Sequence, residues 1–494
     1  MSVISRCTGQ SVFPRIYYPC MTSVRPFPTV IQGGMGIAVS SWKMAQTVSR
    51  AGALGVVSGT AIDAVIARRL QDGDSDGSIR RAISHFPDTD IAAEALRFYF
   101  IDGGKSAHVP YLLAPKLTLK PGVFASQFLV LANFVEVWLA KEGHDGQVGI
   151  NFLEKIQMAT PASIYGALLA DVDYILIGAG IPSEIPRIIR DLVDHKKTRI
   201  SITVEHATEK YFLDFDPSIV KGVKNSPLNK PVFLAIISSH ALAAYLNRDE
   251  EVRPDGFVVE GTSAGGHNAP PRGNTPVGAD GQSQFSTKDD ADIEKVKATG
   301  LPFWLAGGYA TPKKVQQAQE LGAVGVQAGS IFALSTDSGL TEELRMQTLA
   351  RIADHALRVI TDPLGSPTSF PFKYAEIDGT ISDASIFESR IKLCDLGFLR
   401  TVVERENHKI AYRCSGEPDK TFKFKGGDQD DTQGKKCLCN ALMSNIGMPQ
   451  VRVSGYEEPA LLTLGSDLEG EEELLIQYPA GWSASQAVSY LLGS

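Results

Sequence analysis

The chain is expected to fold as a (β/α)8 TIM barrel of the α/β class, and three observations predict it. Apolar runs of strand length alternate with helical patterns from residue 29 to about residue 340. Four of the loops that follow those runs are rich in glycine, and barrel enzymes build their sites from such strand-exit loops. The length of 494 residues suits one decorated barrel of roughly 250 residues plus an appendage better than three compact domains.

The first unit is a strand at residues 29–31, the turn Gly33-Gly34-Met35-Gly36 and a helix over 41–51 that Ser40 or Ser41 can cap. A strand at 54–58 follows, and Asp63 starts the next helix. Residues 71–120, rich in Asp, Gly and Pro, read as an insertion carrying short helices, and the inserted region runs to about residue 140. Strands at 148–152 and 174–177 and helices at 161–170 and 185–193 restore the alternation. Further strands are expected at 199–204, 232–237, 256–260, 303–306 and 324–328, with helices over 241–247 and 312–321. The organisation is thus an N-terminal extension over 1–28, a barrel over 29–340 with its insertion at about 71–140, and an appendage over 341–494. That appendage opens with a helix at 341–357 and then reads as irregular and packed on the barrel.

Composition excludes several classes. A net charge of -8 leaves no basic footprint for nucleic acid. The 43% hydrophobic and 21% charged content is that of a globular protein. The most apolar stretch, residues 124–140, is interrupted by Ser126, Gln127, Asn133 and Glu136 and falls short of the ~20 residues of a bilayer span. It reads as a buried helix, and no membrane partner is expected. Six cysteines are too few for a disulfide scaffold, which favours a reducing compartment. The expected location is cytoplasmic. Organellar import stays open because Arg6, Arg15 and Arg25 precede the first acidic residue, Asp63. A plain extension ahead of a second start at Met21 is the simpler reading.

Chemistry concentrates at the late strands. Leu305-Ala306-Gly307-Gly308 closes one strand, and Val326-Gln327-Ala328-Gly329-Ser330 closes the next. Glycine lets backbone N–H groups approach a phosphate with no Cβ in the way, a following helix start adds donors, and Ser330 offers a hydroxyl. A second constellation runs from Glu260 through Gly265-Gly266-His267 to Arg272. It puts an imidazole on a glycine-flanked strand exit, able to give or take a proton, with an arginine able to pair with an anion. In the tail, Cys394, Cys414, Cys437 and Cys439 invite a zinc or iron–sulfur reading. Beyond one C-x-C pair their spacings are loose and the C-x2-C knuckles are missing. Buried free cysteines are commoner, so no metal site is expected.

These pieces resemble the nitronate monooxygenase (formerly 2-nitropropane dioxygenase) family, which shares its fold with flavin-dependent enoyl-ACP reductases of bacteria. The matching segments are 31–36 with 51–58, 149–153, 256–267 and 305–332. The resemblance implies FMN as the cofactor. It implies that Gln32, Gly33, Gly34 and Met35 lie beside the flavin ring and that Asn151 contacts the cofactor. Gly265 and Gly266 would approach the ribityl chain or phosphate, and Gly307, Gly308, Gln327, Gly329 and Ser330 would hold the phosphate. One departure is informative. The family carries a catalytic histidine at the end of the fourth strand, whereas this chain reads Gly178-Ala179-Gly180-Ile181-Pro182 there, closer to the reductase branch. With residues 361–373, Cys394-Asp395-Leu396-Gly397 and Lys436-Cys437-Leu438-Cys439-Asn440 included, the whole chain is also similar to a long subgroup labelled as nitronate monooxygenase and to trans-acting enoyl reductases of polyketide and polyunsaturated fatty acid synthases.

Two enzymatic readings follow. One is oxidation of a small alkyl nitronate with O2, in which Arg272 or Lys155 orients the anion and His267 stabilises developing charge. The other is reduction of an enoyl thioester with NAD(P)H as electron donor and His267 as proton donor. A third reading is a subunit that docks an acyl carrier protein through the 71–140 region and the cysteine-rich tail.

Overall fold

The computed structural model describes residues 25–273 and 277–493, so Arg6, Arg15 and Met21 lie outside the described residues. Eight parallel strands close into a barrel in chain order. They are β1 (Val30–Gln32), β2 (Leu54–Ser58), β3 (Val148–Leu153), β4 (Tyr174–Gly178), β5 (Val232–Ile237), β6 (Gly256–Glu260), β7 (Phe303–Ala306) and β8 (Gly325–Ala328). Closure is made by β8 on β1, with Val30 opposite Val326 and Gln32 opposite Ala328.

Strands buried on both faces read as continuous apolar runs, which is why β2 and β4 stand out in the sequence. The side chains that point inward form their own cluster: Ile31, Leu54, Val56, Tyr174, Leu176, Leu234, Val258, Trp304 and Ala306. Glycine at position 149 of β3 makes room for the large members, since a Cβ there would sit 3.2 Å from Leu176, Tyr174 and Val56. At the opposite end from the strand exits, Trp304 donates its indole N–H to the Pro28 carbonyl at 2.7 Å and meets Phe27 edge-on. The barrel is therefore a packed core, with a cavity above the strand exits.

The helix Val123–Lys141 occupies the ring between Trp42–Arg50 and Thr160–Leu169, packing on both. Among the described residues it is the one helix long and apolar enough to cross a membrane, and 67% of its apolar window is buried inside the protein. Its interrupting carboxylate explains the placement. Glu136 is fully buried, pairs with Arg69 at 2.9 Å and accepts the Trp42 backbone N–H at 2.8 Å. Helices Ser78–Ser84 and Thr89–Tyr99 pack beneath it.

One expected strand lies elsewhere. Residues 199–204 do not join the barrel; Thr198–Ile202 pairs antiparallel with Tyr211–Phe215 outside it. The reason is visible in the alternation of buried Ile200 and Ile202 with exposed Arg199 and Ser201, a period-two pattern of a strand wet on one face.

The tail is ordered and threads back over the barrel. Val359–Asp362 and Phe372–Ala375 form a hairpin whose second strand adds Gly266–His267, the exit of β6, as a third. Thr401–Glu404 and Ile410–Arg413 form another hairpin that takes Val204–Glu205 as its neighbour. The last helix, Ala484–Leu492, packs against Trp42–Arg50 and Pro312–Glu320 and so completes the helical ring between the units of β7 and β1. Trp482 leads into it, wholly buried, with its indole N–H on the Ile331 carbonyl at 2.7 Å.

Because Trp482 fills the junction of tail and barrel, Trp482→Ala should lower unfolding free energy by about 3–5 kcal/mol. Urea unfolding followed by far-UV circular dichroism measures it, and a loss under about 1 kcal/mol contradicts this role.

Candidate functional site

All eight strand exits open into one cavity of about 260 Å3. Its floor is made of the turns singled out in the sequence. From β1 come Gly33, Gly34 and Met35, from β3 Asn151, from β6 Gly265, Gly266 and His267, from β7 Gly307 and Gly308, and from β8 Gln327, Gly329 and Ser330.

Close approach explains the glycines. A Cβ on Gly34 would lie 2.3 Å from the Cβ of Asn151, so glycine is what lets the β1 exit rest on β3. Gly307 and Gly308 both have φ of +81°, a left-handed pair that L side chains rarely adopt, and it turns the β7 exit sharply across the mouth. Gln327 carries a buried Oε1 with no hydrogen-bond partner in the protein, on a residue that lines the cavity.

Two expected site residues are placed differently. Gln32 is fully buried away from the cavity lining: its amide donates to the Val56 carbonyl at 3.1 Å and to Ser40 Oγ at 2.9 Å, and accepts the Val56 N–H at 3.0 Å. It stitches β1 to β2. Arg272 also lies outside the cavity lining, donating to the carbonyls of Lys288 at 2.7 Å and Ser238 at 3.0 Å and so securing the β6 exit loop.

The electrostatics centre on four groups. Burial pushes the Glu260 carboxyl, at the end of β6, up to about 7 against the pull of Lys373 and Lys155. Burial likewise lowers Lys155 to about 8 and Lys373 to about 8, with Glu260 opposing both shifts. Lys155 donates to the Ala179 carbonyl at 2.6 Å and stands over the Phe370 ring; Lys373 donates to the Thr262 carbonyl at 2.6 Å. His267 is held down to about 3 by burial and then by Lys155, so it is a neutral imidazole at physiological pH. Its Nε2 is 2.8 Å from Ser366 Oγ, and its ring meets Phe372 edge-on. Of the four, Glu260 and His267 line the cavity, and Lys155 and Lys373 act on them from outside its lining; such perturbed groups mark a candidate catalytic centre.

The far wall is what the sequence did not disclose. The tail supplies Phe398, Leu399, Leu438, Cys439 and Leu442, together with Thr463, Leu464, Gly465, Asp467 and Glu471. Gly465 donates its N–H to Ser330 Oγ at 2.8 Å, so the hydroxyl expected to face a ligand also pins the tail. Burial raises the Glu471 carboxyl to about 8, and neither of its oxygens has a partner in the protein. Glu260 opens the second constellation of the sequence but carries no assigned role there. Lys373 and Glu471 had no local signal, because pairing with Gly266 places Lys373 beside the β6 exit and the folding back of the tail places Glu471 on the cavity wall.

No curated protein matches the chain. Three solved structures align along nearly all of it. FabK from Thermotoga maritima is 16% identical, with 94% of this chain and 92% of that one covered and a TM-score of 0.46. The enoyl reductase domain of MlnA from the macrolactin biosynthesis cluster of Bacillus amyloliquefaciens is 11% identical, with 94% of both chains covered and a TM-score of 0.47. A nitroalkane oxidase from Streptomyces ansochromogenes is 12% identical, with 95% of both covered and a TM-score of 0.42. The stretch from the end of the helix after β4 to the first strand of the tail is more specific. Residues 193–365 match the family model described as nitronate monooxygenase.

Proposed function

We propose that the protein is an FMN-dependent oxidoreductase that oxidises small alkyl nitronates with O2. The observation that carries this reading is the convergence of every expected cofactor position except Gln32 on one cavity at the barrel mouth. The residues present fit the group. Gly307, Gly308, Gly329 and Ser330 offer backbone approach to a phosphate, Gly33, Gly34 and Met35 form a side-chain-poor floor for a flat ring, and Gln327 holds an unpartnered buried amide oxygen. When bound, FMN supplies the two-electron acceptor. The un-ionised Glu471 carboxyl can donate a hydrogen bond toward an anionic headgroup below pH about 8.

The chain's own residues then handle the substrate. A nitronate is already an anion, so no protein base is needed to make it. Lys155 and Lys373 provide the positive field that draws it in, and neutral His267 can hydrogen-bond to oxygen where charge develops. A second reading is supported by the β4 exit, where Gly178 and Ala179 line the cavity and no histidine follows. There the enzyme would be an NAD(P)H-dependent enoyl-thioester reductase, its substrate presented free or on an acyl carrier protein.

Anaerobic stopped-flow mixing separates the two. Bleaching of bound flavin by 2-propyl nitronate but not by NADPH is expected; rapid bleaching by NADPH with none by the nitronate overturns the first reading. His267→Ala should keep bound flavin and slow turnover, and unchanged turnover removes His267 from the chemistry.

The pH dependence follows from the three titrating groups. With Glu260 neutral and both lysines charged the sum is +2; ionising Glu260 near pH 7 leaves +1; neutralising both lysines above about pH 8 leaves -1. The KM for a nitronate should therefore rise between pH 6 and 9. Glu260→Gln should remove the step near pH 7 and His267→Ala should retain it. A KM constant across that range contradicts the assignment.

A further inference from the structure

Among the described residues that line the barrel-mouth cavity there is no lysine or arginine. A phosphate held at the exits of β7 and β8 would therefore meet neutral donors, the backbone N–H groups of the glycine turns and the hydroxyls of Ser263 and Ser330. One further group on that wall can act as a donor. Glu471, on the tail helix Glu469–Gln477, is wholly buried and lines the cavity, yet neither of its carboxyl oxygens makes a hydrogen bond within the protein. A buried polar group left in that condition costs stability, and a ligand that bonds to it recovers the loss.

The packing of this helix shows which part of a flavin the carboxyl would meet. Gly470 rests on the Ala310 carbonyl so closely that no Cβ would fit, which sets the first turn of the helix against the β7 exit that carries Gly307 and Gly308. The same helix packs on Ser330–Ala333, the start of the β8 exit. Just ahead of it, the Asp467 carboxylate lies 3.0 Å from where a Cβ on Gly308 would stand. Glu471 is thus grouped with the two turns that suit a phosphate.

The surroundings favour the acid form. Burial pushes the Glu471 carboxyl up to about 8, and Asp467 and Glu472 push the same way, against its own backbone N–H and Lys314. Lys314 is already shared between Asp467 and Glu469, at 2.7 Å from each. From the neighbouring elements, His355 lies 3.2 Å from Glu472, and the phenols of Tyr490 and Tyr309 are both pushed up by burial and so stay un-ionised near neutral pH.

We infer that Glu471 is a cofactor-binding residue contributed by the tail, whose un-ionised carboxyl donates a hydrogen bond to the phosphate of FMN. The inference rests on the flavin reading above. It makes binding a proton-linked event. Where the free carboxyl is ionised, Glu471 takes one proton from solvent for each phosphate bound, because a carboxylate left charged there would repel the anion. Affinity is therefore full below pH about 8 and falls as the pH rises through that value, by up to ~tenfold per pH unit.

The test measures the Kd of FMN and of riboflavin for the deflavinated full-length protein from about pH 7 to about pH 9.5, by quenching of flavin fluorescence. FMN should weaken by about tenfold or more across that range, and riboflavin, which lacks the phosphate, should not. Glu471→Gln keeps a neutral donor, so its FMN affinity should stay nearly level and exceed that of the unaltered protein at the alkaline end. An equal fall in Glu471→Gln would place the effect on Lys155 and Lys373, which titrate in the same range, and overturns the inference. An equal fall for riboflavin, or FMN affinity level across the range, overturns it while leaving the flavin reading intact; no FMN binding at any pH removes both. Should the variant fail to fold, the infrared difference spectrum of FMN binding to the unaltered protein at the alkaline end decides. A gained carboxylic-acid carbonyl band, which lysines cannot give, is expected, and its absence overturns the inference.

Discussion

The contact on which the site depends is backbone against backbone, where residues 463–467 of the tail lie across the exits of β6 and β8. A Cβ on Gly265 would fall 2.7 Å from the Leu464 carbonyl carbon and 2.9 Å from the Gly465 nitrogen. The Ser466 N–H bonds to the Ser263 carbonyl at 2.9 Å, and the Gly465 N–H bonds to Ser330 Oγ at 2.8 Å. These contacts turn an open barrel mouth into a walled cavity. They also make the last 30 residues part of both the site and the helical ring, since Trp482 and Ala484–Leu492 anchor the same segment to the barrel wall.

Walling the mouth changes the acid–base character of what lies inside. Glu260, Lys155, Lys373 and His267 are all displaced toward their uncharged forms by burial, and the glutamate and lysines oppose that displacement in one another. A site with these groups changes charge across the physiological range while its histidine stays neutral. The imidazole therefore acts as a hydrogen-bonding group, and the field on an anion comes from the lysines.

Much of this was legible in the sequence because it is local. Buried parallel strands announce themselves as apolar runs, and the glycine turns after β1, β6, β7 and β8 follow directly in chain order. The apolar helix Val123–Lys141 was legible as a core helix through Glu136, which a bilayer would not tolerate unpaired. The strand at 199–204 was mistaken for a barrel stave because its run of β-branched residues outweighed the exposed alternation of Arg199 and Ser201. What the sequence hid is non-local. Lys373 reaches the site by pairing with Gly266, and Glu471 by the folding back of the tail. The cysteines at 394, 414, 437 and 439 have uninformative spacings, because three separate segments bring them around one space.

The most direct measurement is equilibrium binding of FMN to deflavinated protein, followed by quenching of flavin fluorescence, for the unaltered chain and for Gly265→Ala. The added methyl group strikes the backbone of Leu464 and must push the tail wall outward. Binding weakened by about tenfold or more, with the far-UV spectrum of the barrel unchanged, is the predicted result. Equal affinity in the two proteins would contradict a site completed by the tail.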